Sequence, residues 1–302
     1  MVDANAINSQ SFDRWMGSFV GLAIGDQLGC LTENKPIGTF ERVRDMADGS
    51  FWTDDTSQAL CLADSLISTK KFELNDQLQR YSKWLFEGYL SCKEWAYGCG
   101  PTARLAITDF KSSGTPKPVS NQETNGALMR LSPVPLFYSH DLEEAIKKSG
   151  ESATSTHNNP VCIDACRLYG SMIVRAMQGN SKDAVLKYNA ALWSNDPLAD
   201  SINEVAKGSY KYKEPPHIRG TLNMTESIEA ALWSFDRSSS FGEGALKAVN
   251  LGDDTDTTAA IFGQLGGAYY GYEGIPNSWK AKLVDRGLIE YMARKLYEIR
   301  NP

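Results

Sequence analysis

Gly252-Asp253-Asp254-Thr255-Asp256-Thr257 is the stretch that decides how this chain reads, and it makes sense beside Trp52-Thr53-Asp54-Asp55-Thr56 far upstream. Each is a tight acidic cluster flanked by threonine. Each opens an apolar segment with helical spacing. Ala59, Leu60, Ala63, Leu66 and Ile67 follow the first in chain order, and Ala259, Ala260, Ile261, Leu265 and Ala268 follow the second. Recurrence at i, i+3, i+4 and i+7 marks a helix with one buried face. Both clusters are therefore predicted at helix N-termini, where Asp and Thr cap free N–H groups and the dipole favours negative charge. Capping needs one oxygen, not a run of acids and hydroxyls. Asp254 and Asp256 can converge on one point, and so can Thr53, Asp54 and Asp55. Four carboxylates with hydroxyls make an all-oxygen site, suited to a hard cation such as Mg²⁺ or Mn²⁺. If the clusters meet, cations must offset their repulsion, and two metals sharing carboxylates is the natural arrangement.

A second pattern ties this stretch to the start of the chain. Gly17, Gly21, Gly25 and Gly29 recur every four residues within a predicted helix over 13–29, and Gly263, Gly267 and Gly271 do the same downstream. Glycine costs about 1 kcal/mol of helix propensity relative to alanine. Two such stripes predict two helices packed backbone to backbone in the middle of the fold. The remaining segments also read as helices: 76–87, a helix opening at Pro101, 125–131 stopping at Pro133 and Pro135, 160–179, 181–192, 225–235 capped by Thr225, one capped by Ser240, and 280–300. No run alternates strictly enough for a strand. The expectation is an all-α fold in one domain over 11–302, with residues 1–10 frayed.

Composition narrows the class. The chain has 302 residues, 42% hydrophobic and 23% charged, with a net charge of −6. That balance argues against a general nucleic-acid binder. No apolar run is long enough to span a bilayer. The six cysteines form no C-x-x-C pair, and with no secretory signal they read as reduced thiols of a cytoplasmic protein. Four more segments carry chemistry. Gly25-Asp26-Gln27-Leu28-Gly29 with Glu33 places an acid inside a glycine-striped helix, which is costly without a bonded partner or cation. Thr124-Asn125-Gly126-Ala127 with Arg130 offers turn N–H groups to an anion or merely caps a helix. Thr156-His157-Asn158-Asn159-Pro160 precedes a helix, where a lone histidine is more often a packing residue. Gly266-Gly267-Ala268-Tyr269-Tyr270-Gly271-Tyr272 carries tyrosines that stack on a base or fill the core.

In this order the segments resemble the ADP-ribosylglycohydrolase family over nearly the whole chain, closest to the branch typified by the dinitrogenase reductase-activating glycohydrolase. The resemblance implies an all-helical fold with a dinuclear Mg²⁺ or Mn²⁺ centre in a cleft. It implies Thr53, Asp54 and Asp55 as ligands from one side, and Asp254, Asp256 and Thr257 from the other. Asp26 would orient ligands. Asn125, Gly126, Arg130 and His157 would lie near the ribose or diphosphate of ADP-ribose, and Tyr212, Tyr270 or Tyr272 against adenine. The implied reaction is hydrolysis at C1″ of the distal ribose in an ADP-ribosylated protein or other ADP-ribose conjugate, releasing ADP-ribose, with Glu33 as acid/base and Asp55 as the alternative. Arginine-directed members tend to carry an Asp in the loop that here reads Trp95-Ala96-Tyr97-Gly98-Cys99-Gly100. Serine-linked and O-acetyl conjugates therefore stand beside the arginine-linked first choice. An inactive ADP-ribose-binding module is the alternative function, and a monomer is the expected state.

Overall fold

A computed structural model describes residues 4–300, with side chains from residue 9. Among them are fourteen α-helices and no sheet, only isolated bridges. In order these are α1 (Ala4–Gly29), α2 (Asp54–Thr69), α3 (Leu74–Glu87), α4 (Pro101–Ser113), α5 (Pro133–Phe137), α6 (Leu142–Ala153) and α7 (Pro160–Met177). There follow α8 (Lys182–Leu186), α9 (Asp200–Ala206), α10 (Met224–Asp236), α11 (Phe241–Val249), α12 (Thr255–Tyr270), α13 (Asn277–Lys282) and α14 (Arg286–Arg300). The all-α expectation holds.

The two glycine stripes meet. A methyl group at Gly17 would overlap the Gly267 carbonyl, one at Gly21 the Gly263 carbonyl, and one at Gly25 the Ala259 carbonyl. The reciprocal overlaps hold for Gly263 and Gly267. Only hydrogen fits between these backbones, so α1 and α12 lie closer than ordinary side chains permit. The last contact of the stripe sets Gly29 on the backbone of Asp256. Gly271 ends α12 in a positive-φ conformation and still abuts Gly17. The pair runs through the core: Trp15, Phe19, Val20 and Ile24 of α1 and Ile261, Phe262 and Leu265 of α12 are buried in one cluster. Around α12 pack α7, α10 and α11, while α2 packs on α1, α3, α5 and α14. A smaller apolar cluster joins α2, α3 and α4 through Cys61, Leu78, Tyr81, Trp84 and Ile107.

Several local expectations change. α1 begins at Ala4, inside the stretch expected to fray, and residues 1–3 lie outside the described residues. Pro133 does not stop a helix but opens α5, at a position where its missing N–H costs nothing. The cap of α10 is Asn223, whose side chain accepts from the N–H groups of Thr225 and Glu226; Thr225 is a helical residue. The segment 181–192 is not one helix. α8 ends where Lys187 turns extended, and Asn189 starts a new 3₁₀ turn by accepting from Ala191 N–H.

Alanine favours helix over glycine by about 1 kcal/mol, so Gly263→Ala would stabilise a helix free of neighbours. Here the methyl has no room, and overpacking of this kind costs about 1–3 kcal/mol. Urea unfolding is expected to show a less stable variant. A more stable one would mean that the stripes do not hold α1 and α12 at this distance.

Candidate active site

The acidic clusters do begin α2 and α12, but neither is used to cap its own helix. Thr53 and Asp254 occupy the N-cap positions and make no side-chain cap bond. The cap of α2 comes from α1. Asp26 accepts five hydrogen bonds from Thr53 and Thr56, through both N–H groups and both hydroxyls, at 2.6–3.0 Å. This answers the cost of an acid inside α1 and frees Asp54 and Asp55 to face elsewhere. At α12, Gly252 and Asp253 both have positive φ, which turns the chain sharply before the helix. Asn34 N–H donates to the Asp253 carbonyl and Asp253 N–H to the Lys35 carbonyl, so the segment carrying Glu33 is pinned to that turn. Asp253 itself points away, toward Arg219 at 3.3 Å.

The clusters converge. Thr53 Oγ1 lies 2.9 Å from Asp26 Oδ1, 3.2 Å from Asp55 Oδ2 and 3.4 Å from Asp256 Oδ2. Two carboxylate sets result, Asp26–Asp55–Asp256 and Glu33–Asp254–Asp256, each with ligand oxygens within 4.8 Å of one another. Asp256 belongs to both. Asn125 Nδ2 holds Asp254 Oδ2 at 2.6 Å, and Gln58 Nε2 holds Asp54 Oδ2 at 3.1 Å.

These residues suit a hard divalent cation on their own evidence. The donor set is all oxygen. Asp55 Oδ1 is buried with no hydrogen-bond partner among the described residues, an arrangement costly for a carboxylate unless a cation meets it. Burial drives the Asp54 carboxyl up to about 7, with Asp26 and Asp254 adding repulsion. Asp26 and Asp254 rise to about 6, chiefly through burial and against their hydrogen bonds. Asp55 and Asp256 are pushed well up by burial and then by neighbouring carboxylates. Burial raises Glu33 too, against the hydrogen bond from Asn34.

A cleft of about 260 Å³ opens over this centre. Glu33, Asp54, Asp254, Asp256 and Thr257 line one part; Asn125, Gly126, His157, Met129 and Leu222 line another; Gly98 to Ala103 close it. Gly98 rests against Asp54 so closely that a methyl there would overlap the carboxylate. Gly126 leaves room for the His157 ring, whose Cε1 would be 3.1 Å from an added methyl. Burial, helped by Arg130, lowers His157 to about 3, so the imidazole is neutral.

Not every residue named from the sequence reaches the cleft. Thr53, Asp55 and Asp26 are sealed beneath it, which leaves Glu33 as the acid/base candidate with access. Arg130 is fully buried and bonded to Gln58, Ser155 and Thr156 rather than open to a ligand. Tyr270 sits at the far end of α12, bonded to the Ser238 carbonyl and Lys182; at 1.5 Å per residue that is roughly 20 Å from Asp256. Tyr212 is 90% exposed at the end of a 3₁₀ turn outside the cleft. Tyr272 bonds Glu290 on α14. These tyrosines belong to the core and the surface. Thr102 and Leu222 line the cleft from segments with no chemical signature in the sequence, and Thr124 and Thr156, from segments that have one, add the hydroxyls beside His157. Gln58 was also missed, although its place four residues after Asp54 puts it on the same helix face.

The fold and site together define a hydrolase centre of clustered carboxylates at paired helix starts. The chain belongs to the ADP-ribosylglycohydrolase family, whose sequence pattern matches residues 8–302, and it is a glycosyl hydrolase. It is 32% identical to the ADP-ribosylarginine hydrolase Tri1 of Serratia proteamaculans, across 96% of this chain and 80% of that protein. It is 28% identical to the ADP-ribosyl-[dinitrogen reductase] glycohydrolase of Rhodospirillum rubrum, across 90% of each. A solved structure described as an ADP-ribosylglycohydrolase-related protein complex superposes with a TM-score of 0.85 at 35% identity, covering 97% of this chain and 99% of that one.

The raised carboxyls predict how metal-free protein responds to pH. A carboxyl whose folded pKa lies above its unfolded value near 3.8 favours the fold below that value. The advantage is lost as pH rises through the folded pKa, here between about 4 and 7. In EDTA the melting temperature is expected to fall across that window. The rise on adding Mg²⁺ or Mn²⁺ should be larger at pH 7.5 than at pH 5. Equal shifts at both would argue against cations held by these carboxylates.

Proposed function

We propose that this chain hydrolyses the bond between C1″ of the distal ribose and the side chain of an ADP-ribosylated protein, releasing ADP-ribose, with two Mg²⁺ or Mn²⁺ ions as cofactors. The observation that carries this reading is the pair of carboxylate sets sharing Asp256 beneath a cleft that Glu33 also lines. In the assigned ligand set, Thr53, Asp54 and Asp55 hold the ions from the α2 side, and Asp254, Asp256 and Thr257 from the α12 side. Bound there, the ions supply Lewis acidity toward ribose hydroxyls and water.

The other steps belong to the side chains. Cleavage at C1″ passes through an oxocarbenium-like state, so fixed negative charge beside the sugar lowers its energy. Glu33, raised by burial, takes a proton from water or gives one to the leaving group. Asn125 holds Asp254 and shares the cleft wall with Gly126, where the ligand backbone can come close. Asp26 orients Thr53, and through it the sealed carboxylates, without touching ligand.

We assign the arginine linkage first, with serine-linked and O-acetyl conjugates as the competing substrates. The names of the Tri1 relatives support arginine. The loop over 95–100 brings no acid, but Glu33 and Asp54 line the same cleft, so an arginine guanidinium would still meet carboxylates. Among the described residues no helix is long and apolar enough to cross a membrane. We read residues 11–302 as one domain that works as a cytoplasmic monomer without nucleic acid.

The test is release of free ADP-ribose, followed by mass spectrometry, from arginine-linked and serine-linked peptides and O-acetyl-ADP-ribose, with Mg²⁺ or EDTA. Metal-dependent release from the arginine-linked peptide is the expected result. Binding of ADP-ribose without release from any conjugate would favour the inactive module. Asp54→Ala and Asp256→Ala should each abolish release and weaken Mn²⁺ binding; wild-type turnover in either would remove that residue from the site. Glu33→Gln should keep Mn²⁺ binding and lower kcat by about a hundredfold or more. An unchanged kcat would remove Glu33 from the acid/base role.

A further inference from the structure

Arg130 presents a buried charge that the site as described does not use. Its side chain has no exposed surface, and no carboxylate among the described residues pairs with it. Its guanidinium lies 4.6 Å from the centre of the Tyr81 ring. Its partners are neutral: Gln58 Oε1 on Nη1, and Ser155 Oγ at 3.0 Å and Thr156 Oγ1 at 2.6 Å on Nη2. Burying a guanidinium without a counter-charge is expensive. The backbone just before it is held in place, since Gln264 of α12 donates to the Leu128 and Met129 carbonyls at 3.0 and 2.9 Å.

A guanidinium only donates, and that sets the direction of every bond beyond it. Gln58 must turn its oxygen to Arg130, so its Nε2 must face Asp54 Oδ2, 3.1 Å away. Thr156 accepts from Arg130, which leaves its own proton for His157 Nδ1 at 2.7 Å, the direction that also agrees with Thr124 donating to Thr102 and so accepting from His157 Nε2. The neutral imidazole then accepts at Nδ1 and carries its proton on Nε2. That proton goes to Thr124 Oγ1 at 2.9 Å, and Thr124 donates to Thr102 Oγ1 at 3.0 Å. Thr102, Thr124 and His157 line the cleft. The Thr102 proton is left to be donated into a cleft whose lining residues include no lysine or arginine.

We infer that Arg130 is a positioning residue that aligns both walls of the cleft from behind, orienting Asp54 through Gln58 and fixing the His157 tautomer through Thr156. Its planar fork suits the two branches, because Gln58 and Thr156 are served from two separate nitrogens, whereas the donors of a lysine all leave one atom. The reach of Arg130 toward ligand is thus indirect. Thr102 delivers to an anionic ligand oxygen a donor polarised by a charge several bonds away. The effect on turnover rests on the hydrolase reading above, whereas the tautomer and the cation affinity do not.

The test is long-range ¹H–¹⁵N correlation of the imidazoles in the full chain, with Mn²⁺ binding measured in parallel. The chain has only three histidines, so His157 can be assigned by substitution of the other two. Wild-type His157 is expected as the Nε2–H form with a hydrogen-bonded Nδ1. Thr156→Val should move the Nδ1 resonance to that of an unbonded nitrogen, raise KM and leave Mn²⁺ affinity unchanged. Gln58→Leu should weaken Mn²⁺ binding by about tenfold and leave the His157 resonances in place. Arg130→Lys, which keeps the charge, should move both. A wild-type Nδ1–H tautomer would overturn the proposal. So would a folded Arg130→Lys variant in which neither readout moves, since a merely structural arginine predicts that result. If the wild type released no ADP-ribose from any conjugate, the hydrolase reading would fail while these two readouts still judged the relay.

Discussion

Everything in this molecule depends on two helices touching through their backbones. α1 and α12 are more than 220 residues apart in the chain and meet along stripes of glycine where a single methyl would overlap a carbonyl. Their separation is therefore set by main-chain atoms, which are the least deformable part of a helix. The stripe runs to Gly29 against Asp256. The position of the Asp256 carboxylate relative to Asp26 is thus fixed by backbone contact rather than by flexible side chains. A metal centre needs that rigidity, because ligand oxygens must be held close together while they repel.

The repulsion is the second constraint. Asp26, Asp55 and Asp256 sit around one hydroxyl, that of Thr53, Asp256 also joins Asp254 and Glu33, and Asp54 lines the cleft above them. Helix N-termini lower the cost of such a cluster, because their free N–H groups and dipoles face it. They do not remove it, as the raised carboxyls show. The fold instead uses one of the acids, Asp26, to cap the neighbouring helix, which turns a liability into the joint between α1 and α2. Asp55 Oδ1 is left buried without a hydrogen-bond partner, which is what the proposed cation would answer.

The cleft is built on the opposite economy of charge. Its lining is acidic on one side and neutral on the other, and the buried cation Arg130 is withdrawn behind the wall. Hydrogen-bond direction carries the influence of that cation forward through groups that each have one proton to give. Threonines are suited to this, since a hydroxyl accepts and donates at once. The run Thr156, His157, Thr124, Thr102 comes from three separate segments, which is why no local pattern announces it.

The linear order of residues was enough to place helices, because apolar spacing and glycine spacing are local signals that survive in any context. It was enough to bring Asp54, Asp55, Asp254 and Asp256 together, because two acidic helix starts with matching neighbours have few stable reasons to exist apart. The family resemblance, rather than spacing, selected Glu33, Asn125, Gly126 and His157, which line the cleft. Linear order could not rank the buried against the reachable. Asp55 looks like an alternative acid/base, yet it is sealed beneath the cleft, and Arg130 looks like a ligand contact, yet Gln58 of α2, Tyr81 of α3 and the turn at Ser155 and Thr156 close over it. Tyr270 and Tyr212 look like stacking rings, yet the length of α12 and the course of the 3₁₀ turn carry them away. Nor could spacing show that Gln58 faces two ways or that His157 has a set tautomer. Those depend on which donors and acceptors meet across distant segments, and only the packed chain settles that.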